Sequence, residues 1–245
     1  MQATGANAHS LHACYGDGQT LGGGAGLSAI NRYVDEELMR QRIANEGHRR
    51  VIGGLWDELG TLQRDFLIAQ GLEPHHKVLD IGCGSVRAGV PLTRYLQPGG
   101  YYGIDISESL IETGYEQEIV TAGLVDRLPR DHLHVTDAFN APFGVSFDFG
   151  IAQSLFSHLS LDYFAGCLAA LAGTFKSGGV IYATFFEGEG EQVQRPEGII
   201  THSNRDPFHF PKADILAMAT ADWALEWVGD WGHPRGQIMV RARRL

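Results

Sequence analysis

Cysteine is scarce in this sequence: the 245 residues contain only Cys14, Cys83 and Cys167. So odd and sparse a set argues against a disulfide framework and favours a reducing compartment, so we expect a cytoplasmic protein. Long apolar runs are also missing, because the longest, AGCLAALAGTF at 165–175, is too short to span a bilayer. The N-terminal stretch has no basic segment followed by an apolar one, so we expect neither a secretory signal nor a membrane partner.

Basic residues are few, with 19 Lys and Arg against 29 Asp and Glu, and the formal net charge is −10. Proteins that follow the phosphates of nucleic acids usually carry a basic face. The one dense basic cluster here is Arg241, Arg243 and Arg244, which we interpret as a solvated strand end. The charge therefore favours a small-molecule substrate and no nucleic-acid partner. A homodimer is an assembly that the sequence leaves open.

The length of the chain fits one large domain. Residues 1–33 are rich in glycine and show no helical or strand period, which predicts a flexible arm; a lid that orders over a ligand is the alternative. We expect a single domain over 34–245, with a helical cap at 34–72. An aperiodic stretch at 188–211 is predicted to be a substrate-side insert.

From residue 77 onward, strand patterns alternate with helical patterns. Seven strands are predicted, at 77–82, 101–106, 132–139, 147–156 (a strand that runs into a loop), 180–187, 223–228 and 236–243. Such alternation predicts an α/β fold with a mostly parallel sheet covered by helices on both faces. No helix separates the last two strands, so we expect a hairpin with one antiparallel strand near the C-terminus. Ligands of such sheets bind at the carboxyl ends of the strands.

A glycine-rich turn, DIGCGSVRAGVP at 80–91, follows the first predicted strand. A phosphate-binding P-loop requires a lysine after its last glycine, and none is present here. A dinucleotide fingerprint requires a third glycine where Arg87 stands, which weakens that reading without excluding it. Nicotinamide-dependent oxidoreduction thus stays an alternative.

Two acids accompany this turn. Asp105 ends the second predicted strand, where a carboxylate can accept both hydroxyls of a ribose. Gly82 and Gly84 let a ligand approach the backbone without obstruction by a Cβ atom. Asp80 can anchor a ligand ammonium, or alternatively hold the turn as a cap.

The stretches VLDIGCG, GID, HVTDAF, FDFGIAQSLFSHL and FKSGG, in this order, resemble motifs of the class I S-adenosylmethionine-dependent methyltransferases. The resemblance covers roughly residues 50–245 and implies a Rossmann-like three-layer sandwich with N-terminal helices. It implies S-adenosyl-L-methionine as cofactor and S-adenosyl-L-homocysteine as product. Further stretches, including GGLWDELGTLQRDFL and HPRGQIMV, resemble bacterial methyltransferases that are mostly inferred to methylate oxygen of sugars and natural products.

The resemblance also implies site residues. Arg87 would pair with the methionyl carboxylate or lie on a helix surface, and Trp56 would close over a ligand or belong to the core. Trp56 and His202 are candidates for a lid or substrate wall. The candidate cofactor-binding residues are Asp80, Gly82, Cys83, Gly84, Ser85, Arg87, Asp105, Ile106, Asp137, Ala138, Phe139, Gln153 and Ser154.

Methylation of a hydroxyl requires removal of its proton, for which a histidine is the usual group. His158 follows the fourth predicted strand and His209 lies in the insert, so either is a candidate base, with Glu187 assisting. Each histidine could instead brace its loop. No carboxylate cluster or zinc-like spacing is present, so we expect no metal.

Two further alternatives stay open. One is methylation of nitrogen or of a carboxyl group on a small molecule or peptide. The other is a scaffold that binds the cofactor without turnover, because intact cofactor-binding residues say nothing about catalysis.

Overall fold

The computed structural model describes residues 32–245, and a seven-stranded sheet forms its centre. The strands of this sheet are β1 Val78–Ile81, β2 Tyr101–Asp105, β3 Leu133–Val135, β4 Phe147–Ala152, β5 Phe175–Phe185, β8 Trp223–Asp230 and β9 Ile238–Arg244. Two short strands, β6 Gln192–Gln194 and β7 Ile200–His202, form a separate antiparallel pair.

The strand order across the sheet is β3-β2-β1-β4-β5-β9-β8. The pairs among β1 to β5 are parallel, whereas β9 is antiparallel to both β5 and β8. The predicted α/β fold, with its C-terminal hairpin and one reversed strand, is therefore confirmed. All four residues of β1 are buried, as expected for a central strand covered on both faces.

The topology brings several loops to one edge of the sheet. Parallel strands have their carboxyl ends on the same side, so the loops after β1, β2, β3, β4 and β5 meet there. The β8–β9 connection, 231–237, joins them, because β9 reverses the chain direction and leaves β8 parallel to the central strands. The elements of the fold thus converge on this edge.

Helices cover both faces. They are α1 Glu36–Glu46, α2 His48–Val51, α3 Trp56–Ala69, α4 Gly89–Tyr95, α5 Glu108–Gly114, α6 Leu161–Leu171 and α7 Lys212–Leu216. One face buries Leu67 and Leu92 from α3 and α4, and the other buries Phe164 and Leu168 from α6 against Phe185. Within residues 32–245, no helix is both long enough and apolar enough to cross a membrane.

Polar side chains fix the starts of two helices. The Asp35 carboxylate accepts a hydrogen bond from the Leu38 amide at 3.0 Å and begins α1. The Ser107 hydroxyl accepts one from the Leu110 amide at 3.3 Å and begins α5. Helix α5 then continues directly into a π-helical turn, Tyr115–Val120.

The structure corrects two predicted strand boundaries and one segment predicted without strands. Strand β5 begins at Phe175, so the KSGG segment at 176–179 belongs to the strand rather than only ending the preceding helix. Strand β3 ends at Val135, four residues earlier than the pattern indicates, and the following chain bends away. The insert contains the β6–β7 pair although its sequence lacks a strand period.

The division into an arm and a single domain stays a prediction. The arm predicted at 1–33 lies outside the described residues, except that residues 32 and 33 belong to a 3-10 turn, Arg32–Val34. The predicted cap at 34–72 contains α1, α2 and α3.

Replacing Gly114 in α5 with alanine tests the contact between this helix and the glycine-rich turn. A Cβ atom at Gly114 would lie 2.4 Å from the Ser85 carbonyl oxygen, which is backbone and cannot rotate away. Alanine normally favours a helix, but here we expect a loss of about 1–3 kcal/mol in the free energy of unfolding, measured with urea. Gly173→Ala is the matched control, since its Cβ would meet nothing within 4 Å. Equal stability of the two variants would contradict the contact.

Candidate active site

The glycine-rich turn leaves β1 in a conformation that favours glycine, with φ of 75° at Gly82 and 51° at Gly84. The amides of Gly82 and Cys83 both donate to the Ile104 carbonyl, at 2.8 and 3.0 Å, which ties the turn to β2. A Cβ atom at Gly82 would lie 3.0 Å from Leu155, in the loop after β4. The turn and that loop are therefore in direct contact.

Asp105, at the end of β2, adjoins the turn. One carboxylate oxygen accepts from the Gly84 amide at 2.7 Å and the other from the Ser107 amide at 2.9 Å. Burial raises the pKa of this carboxyl group, while the amide hydrogen bonds act in the opposite direction. Each oxygen keeps a second lone pair, so the group can still accept hydroxyl donors.

Asp80, within β1, is 4% exposed and accepts a hydrogen bond from the Tyr101 hydroxyl at 2.7 Å. Burial raises its pKa to about 7, against smaller effects of Tyr101 and Arg87 that lower it. The carboxyl group is thus poised to ionise near neutrality, which suits a residue that receives a cationic ligand group.

Arg87 is buried rather than lying on a helix surface. Its guanidinium donates to the carbonyls of Ile52 and Gly54, at 3.3 and 3.0 Å, and to the side-chain oxygen of Gln153. Burial lowers its pKa to about 10, and its Nε atom has no hydrogen-bond partner among the described residues. Arg87 therefore links the turn, the cap and the end of β4, and its predicted pairing with a methionyl carboxylate stays a prediction.

Two other residues of the turn face inward. A Cβ atom built at Gly103 would lie 2.9 Å from the Cys83 sulfur. Burial raises the pKa of the Cys83 thiol well above its usual range. Ser85 is fully buried, and its hydroxyl has no partner among residues 32–245. Cys83 thus faces β2, whereas Ser85 and Arg87 leave unpaired polar atoms close to the turn.

A polar network continues from Gln153 to the β8–β9 connection. Because arginine only donates, Arg87 fixes the Gln153 oxygen toward itself and directs the amide nitrogen to the Ser154 hydroxyl at 2.6 Å and to Nε2 of His233 at 3.1 Å. Gln237 accepts from Ser154 and from Thr184, at 3.1 and 2.7 Å. Both predicted residues, Gln153 and Ser154, therefore lie in one connected site.

His233 is a residue of this network that the motif analysis did not select. Burial lowers its pKa to about 4, and the nearby charges of Arg87 and Arg235 act in the same direction. The imidazole is thus neutral at physiological pH. Its neighbour Arg235 donates to the Gly53 carbonyl at 2.9 Å and to Glu197 of the insert at 2.8 Å, so it joins the cap to the insert. The stretch HPRGQ at 233–237, which belongs to a segment that resembles bacterial methyltransferases, was the sequence feature that could have pointed to His233.

His158 lies in the loop after β4 and is paired with a carboxylate. Its Nδ1 atom is 2.5 Å from Asp206 of the insert, and its side chain is 21% exposed. The Tyr33 ring meets the imidazole edge-on, with centroids 5.8 Å apart. His158 therefore has an oriented ring with Nε2 available for other contacts.

His209 has a different environment. It is 1% exposed, and both ring nitrogens are engaged, Nδ1 with the Thr201 hydroxyl and Nε2 with the Gly190 carbonyl, each at 3.0 Å. His202 is also buried, and its amide donates to the Pro207 carbonyl at 2.8 Å. These bonds brace the insert.

Glu187 is exposed and lines a cavity of about 450 Å³ with Glu189, Lys212 and Leu216.

Trp56 is the first residue of α3 and is half-buried. The Arg49 guanidinium lies over its ring, 4.8 Å from the ring centroid. His48 meets its ring edge-on at 5.4 Å. Trp56 thus has cap residues on both sides.

The remaining candidates lie after β2 and β3. Ile106 follows Asp105 and is partly exposed, while Asp137 is exposed and Ala138 and Phe139 are half-buried. The Thr136 amide donates to the Asp105 carbonyl at 2.8 Å, which holds the two strand ends side by side. Within residues 32–245, no group of three or more His, Cys, Asp or Glu residues could hold a metal ion.

The fold is that of the class I methyltransferases. Residues 79–181 match the family model described as "Methyltransferase domain". The matched residues run from β1 into β5 and include the glycine-rich turn, Asp105 and the loop after β4. The resemblance that the motifs indicate is confirmed.

Solved structures agree with this assignment. Magnesium protoporphyrin IX methyltransferase from Synechocystis, with bound SAM, has a TM-score of 0.57 at 17% identity, covering 86% of this chain and 97% of that one. The amino pentose methyltransferase CalS10 from Micromonospora echinaspora has 0.55 at 18%, covering 82% and 97%. The glycopeptide N-methyltransferase MtfA, complexed with SAH, has 0.55 at 16%, covering 76% and 90%. At these identities the likeness is one of fold.

Replacing Asp80 with asparagine tests the buried carboxyl group. Because its pKa rises from 3.8 in the unfolded chain to about 7 in the folded one, folding takes up a proton between these pH values. The contribution of Asp80 to stability is therefore greatest below pH about 4 and falls as the pH rises toward 7. Asp80→Asn cannot ionise, so its stability relative to the parent should increase over this range by up to about 4 kcal/mol. Urea unfolding from pH 4 to 8 measures this, and parallel pH profiles would contradict it.

Proposed function

We propose that this protein transfers a methyl group from S-adenosyl-L-methionine to a hydroxyl of a small molecule, a sugar or a secondary metabolite, and releases S-adenosyl-L-homocysteine. The observation that carries the proposal is the meeting of a cofactor-type turn with an oriented histidine at one sheet edge. Leu155 lies 3.0 Å from the Cβ position of Gly82, and the His158 amide donates to the Leu155 carbonyl at 3.1 Å, so the loop that carries the base candidate contacts the turn.

The residues around the turn fit the cofactor. Gly82 and Gly84 leave room for close approach, and Asp105 retains lone pairs for the two ribose hydroxyls. Asp80, with its pKa near neutrality, suits the ligand ammonium. The unpaired Arg87 Nε and Ser85 hydroxyl are buried donors close by. Two neighbours of this fold contain SAM or SAH, which supports the same cofactor here.

When bound, the sulfonium cofactor supplies an activated methyl group, so the protein's main contribution is alignment and removal of the acceptor proton. Of the two histidines considered, His158 is the better base, because His209 has both nitrogens engaged inside the insert. His158 presents Nε2 while Asp206 holds Nδ1. Glu187, exposed at the cavity, is placed to contact a substrate hydroxyl.

A second candidate function is methylation of nitrogen on an amino sugar or peptide. It is favoured by neighbours described as an amino pentose methyltransferase and a glycopeptide N-methyltransferase. A nicotinamide cofactor is less well supported, because the third-glycine position holds Arg87, whose side chain fills the space toward the cap. A scaffold without turnover would bind the cofactor but leave His158 dispensable.

We further propose a cytoplasmic protein that acts without nucleic acid or membrane. The thiols of Cys83 and Cys167 are free and buried, which fits a reducing compartment. A homodimer stays open.

Calorimetric titration tests the cofactor assignment. We expect heat of binding with S-adenosylhomocysteine and none with NAD. Asp105→Asn removes the charge that faces the ribose hydroxyls and should weaken S-adenosylhomocysteine binding by about 1–3 kcal/mol. Asp222→Asn is the control, because this carboxylate lies just before β8 and is paired with Arg244. Binding of NAD instead, or unchanged affinity of Asp105→Asn, would contradict the assignment.

Turnover measurements test the base. With sugar and natural-product hydroxyls as acceptors, His158→Ala should lower kcat by about 10²–10⁴-fold and leave S-adenosylhomocysteine affinity nearly unchanged. His209→Ala should chiefly lower stability, by about 1–3 kcal/mol, because it removes a buried ring and its hydrogen bonds to the buried Thr201 hydroxyl and the Gly190 carbonyl. Full turnover of His158→Ala would exclude it as base. Turnover with amine acceptors alone would select the second candidate.

A further inference from the structure

The loop after β4 and the insert are joined by backbone hydrogen bonds as well as by a side-chain pair. The Phe208 amide donates to the Ser157 carbonyl at 2.7 Å. On the far side of the same turn, the His202 amide donates to the Pro207 carbonyl at 2.8 Å. Asp206 is therefore fixed at its backbone on a turn that is itself attached to the residue before His158.

The contact between Asp206 and His158 determines where the imidazole carries its proton. An ionised carboxylate can only accept hydrogen bonds, so Nδ1 of His158, 2.5 Å away, must be the donor. In the neutral ring, Nε2 then holds the lone pair. This is the form that a general base needs.

Both side chains are partly shielded, with 21% of His158 and 25% of Asp206 exposed. The Tyr33 ring, just before the cap, packs edge-on against the imidazole. The orientation of His158 is therefore limited by two contacts, one with the insert and one with Tyr33. An exposed ion pair without such support would contribute little.

We propose that Asp206 is a positioning residue for His158, which rests on the proposed role of His158 as base. The Asp206 carboxylate keeps the proton of the neutral ring on Nδ1. With the cofactor bound, the acceptor oxygen would form its bond to the methyl carbon as the carbon–sulfur bond breaks and leaves its electron pair on sulfur, while the acceptor proton would pass to Nε2 of His158. The imidazolium that results is stabilised by the carboxylate, which itself takes no proton.

A consequence is that the insert supplies part of the catalytic apparatus. Residues 188–211 were expected from the sequence to form a substrate-side insert, and Asp206 connects this segment to the proposed base in the loop after β4. A substrate that shifts the insert would then also set the geometry of His158, which couples acceptor binding to proton removal.

Steady-state kinetics with saturating cofactor test the proposal. Asp206→Asn should lower kcat about 10-fold or more while the KM for the cofactor and its affinity stay within about twofold. Asp206→Glu, which keeps the carboxylate, should recover part of the loss. In a His158→Ala background, Asp206→Asn should have no further effect on kcat. Glu226→Gln, on β8 and paired with Arg241, is the matched surface control.

Nitrogen-15 NMR of the histidine rings gives a readout that does not need substrate. The parent protein should show His158 with protonated Nδ1 and unprotonated Nε2, and Asp206→Asn should show a mixture of tautomers. A parent His158 protonated on Nε2, or additive losses in the double variant, would overturn the proposal. If Asp206→Asn lowered the free energy of unfolding but left kcat unchanged, the pair would only brace the loop, and the positioning role would be excluded.

The role of His158 as base and the role of Asp206 as positioning residue can be tested separately. Full turnover of His158→Ala sinks the base assignment and the positioning role with it. Loss of turnover in His158→Ala with normal turnover in Asp206→Asn leaves the base assignment intact and removes only the role of Asp206.

Discussion

The buried guanidinium of Arg87 is the constraint on which much of the site depends. A charge removed from water requires several partners, and this one obtains them from three segments: the cap carbonyls, Gln153 at the end of β4, and the field of Asp80. Burial lowers the pKa of His233 and the Arg87 charge adds to this effect, while the guanidinium also fixes which way the Gln153 amide points. Through Arg87 the glycine-rich turn, the cap and the β8–β9 connection become one polar assembly.

The insert contributes a second set of contacts to the site. Its backbone and Asp206 attach to the loop after β4, and Glu197 receives Arg235 from the β8–β9 connection. The insert therefore contacts His158, the proposed base, on one side and the cap, through Arg235 and Gly53, on the other. The proposed acceptor side of the site therefore depends on segments far apart in sequence, whereas the predicted cofactor-binding residues come mostly from motifs at the ends of β1 and β2.

This difference explains how much the sequence could predict. Alternating strand and helix patterns, the glycine-rich turn and Asp105 are local signals, and they were sufficient for the fold and the class. The pairing of His158 with Asp206 spans 48 residues, and the link from Gln153 to His233 spans 80. The local sequence around Asp206 or His233 does not predict these contacts, because they form only when loops from separate strands meet at one sheet edge. The buried state of Arg87 was missed for the same reason.

Trp56 gives the cap a property of a different kind. The other tryptophans, at 223, 227 and 231, all lie in or next to β8, so Trp56 is isolated from them in the sequence. It has the Arg49 guanidinium over its ring and the His48 imidazole at its edge, groups that alter indole emission. The segment that covers the glycine-rich turn thus contains its own optical probe, and changing the three tryptophans near β8 to phenylalanine would leave its fluorescence as a direct record of cap movement.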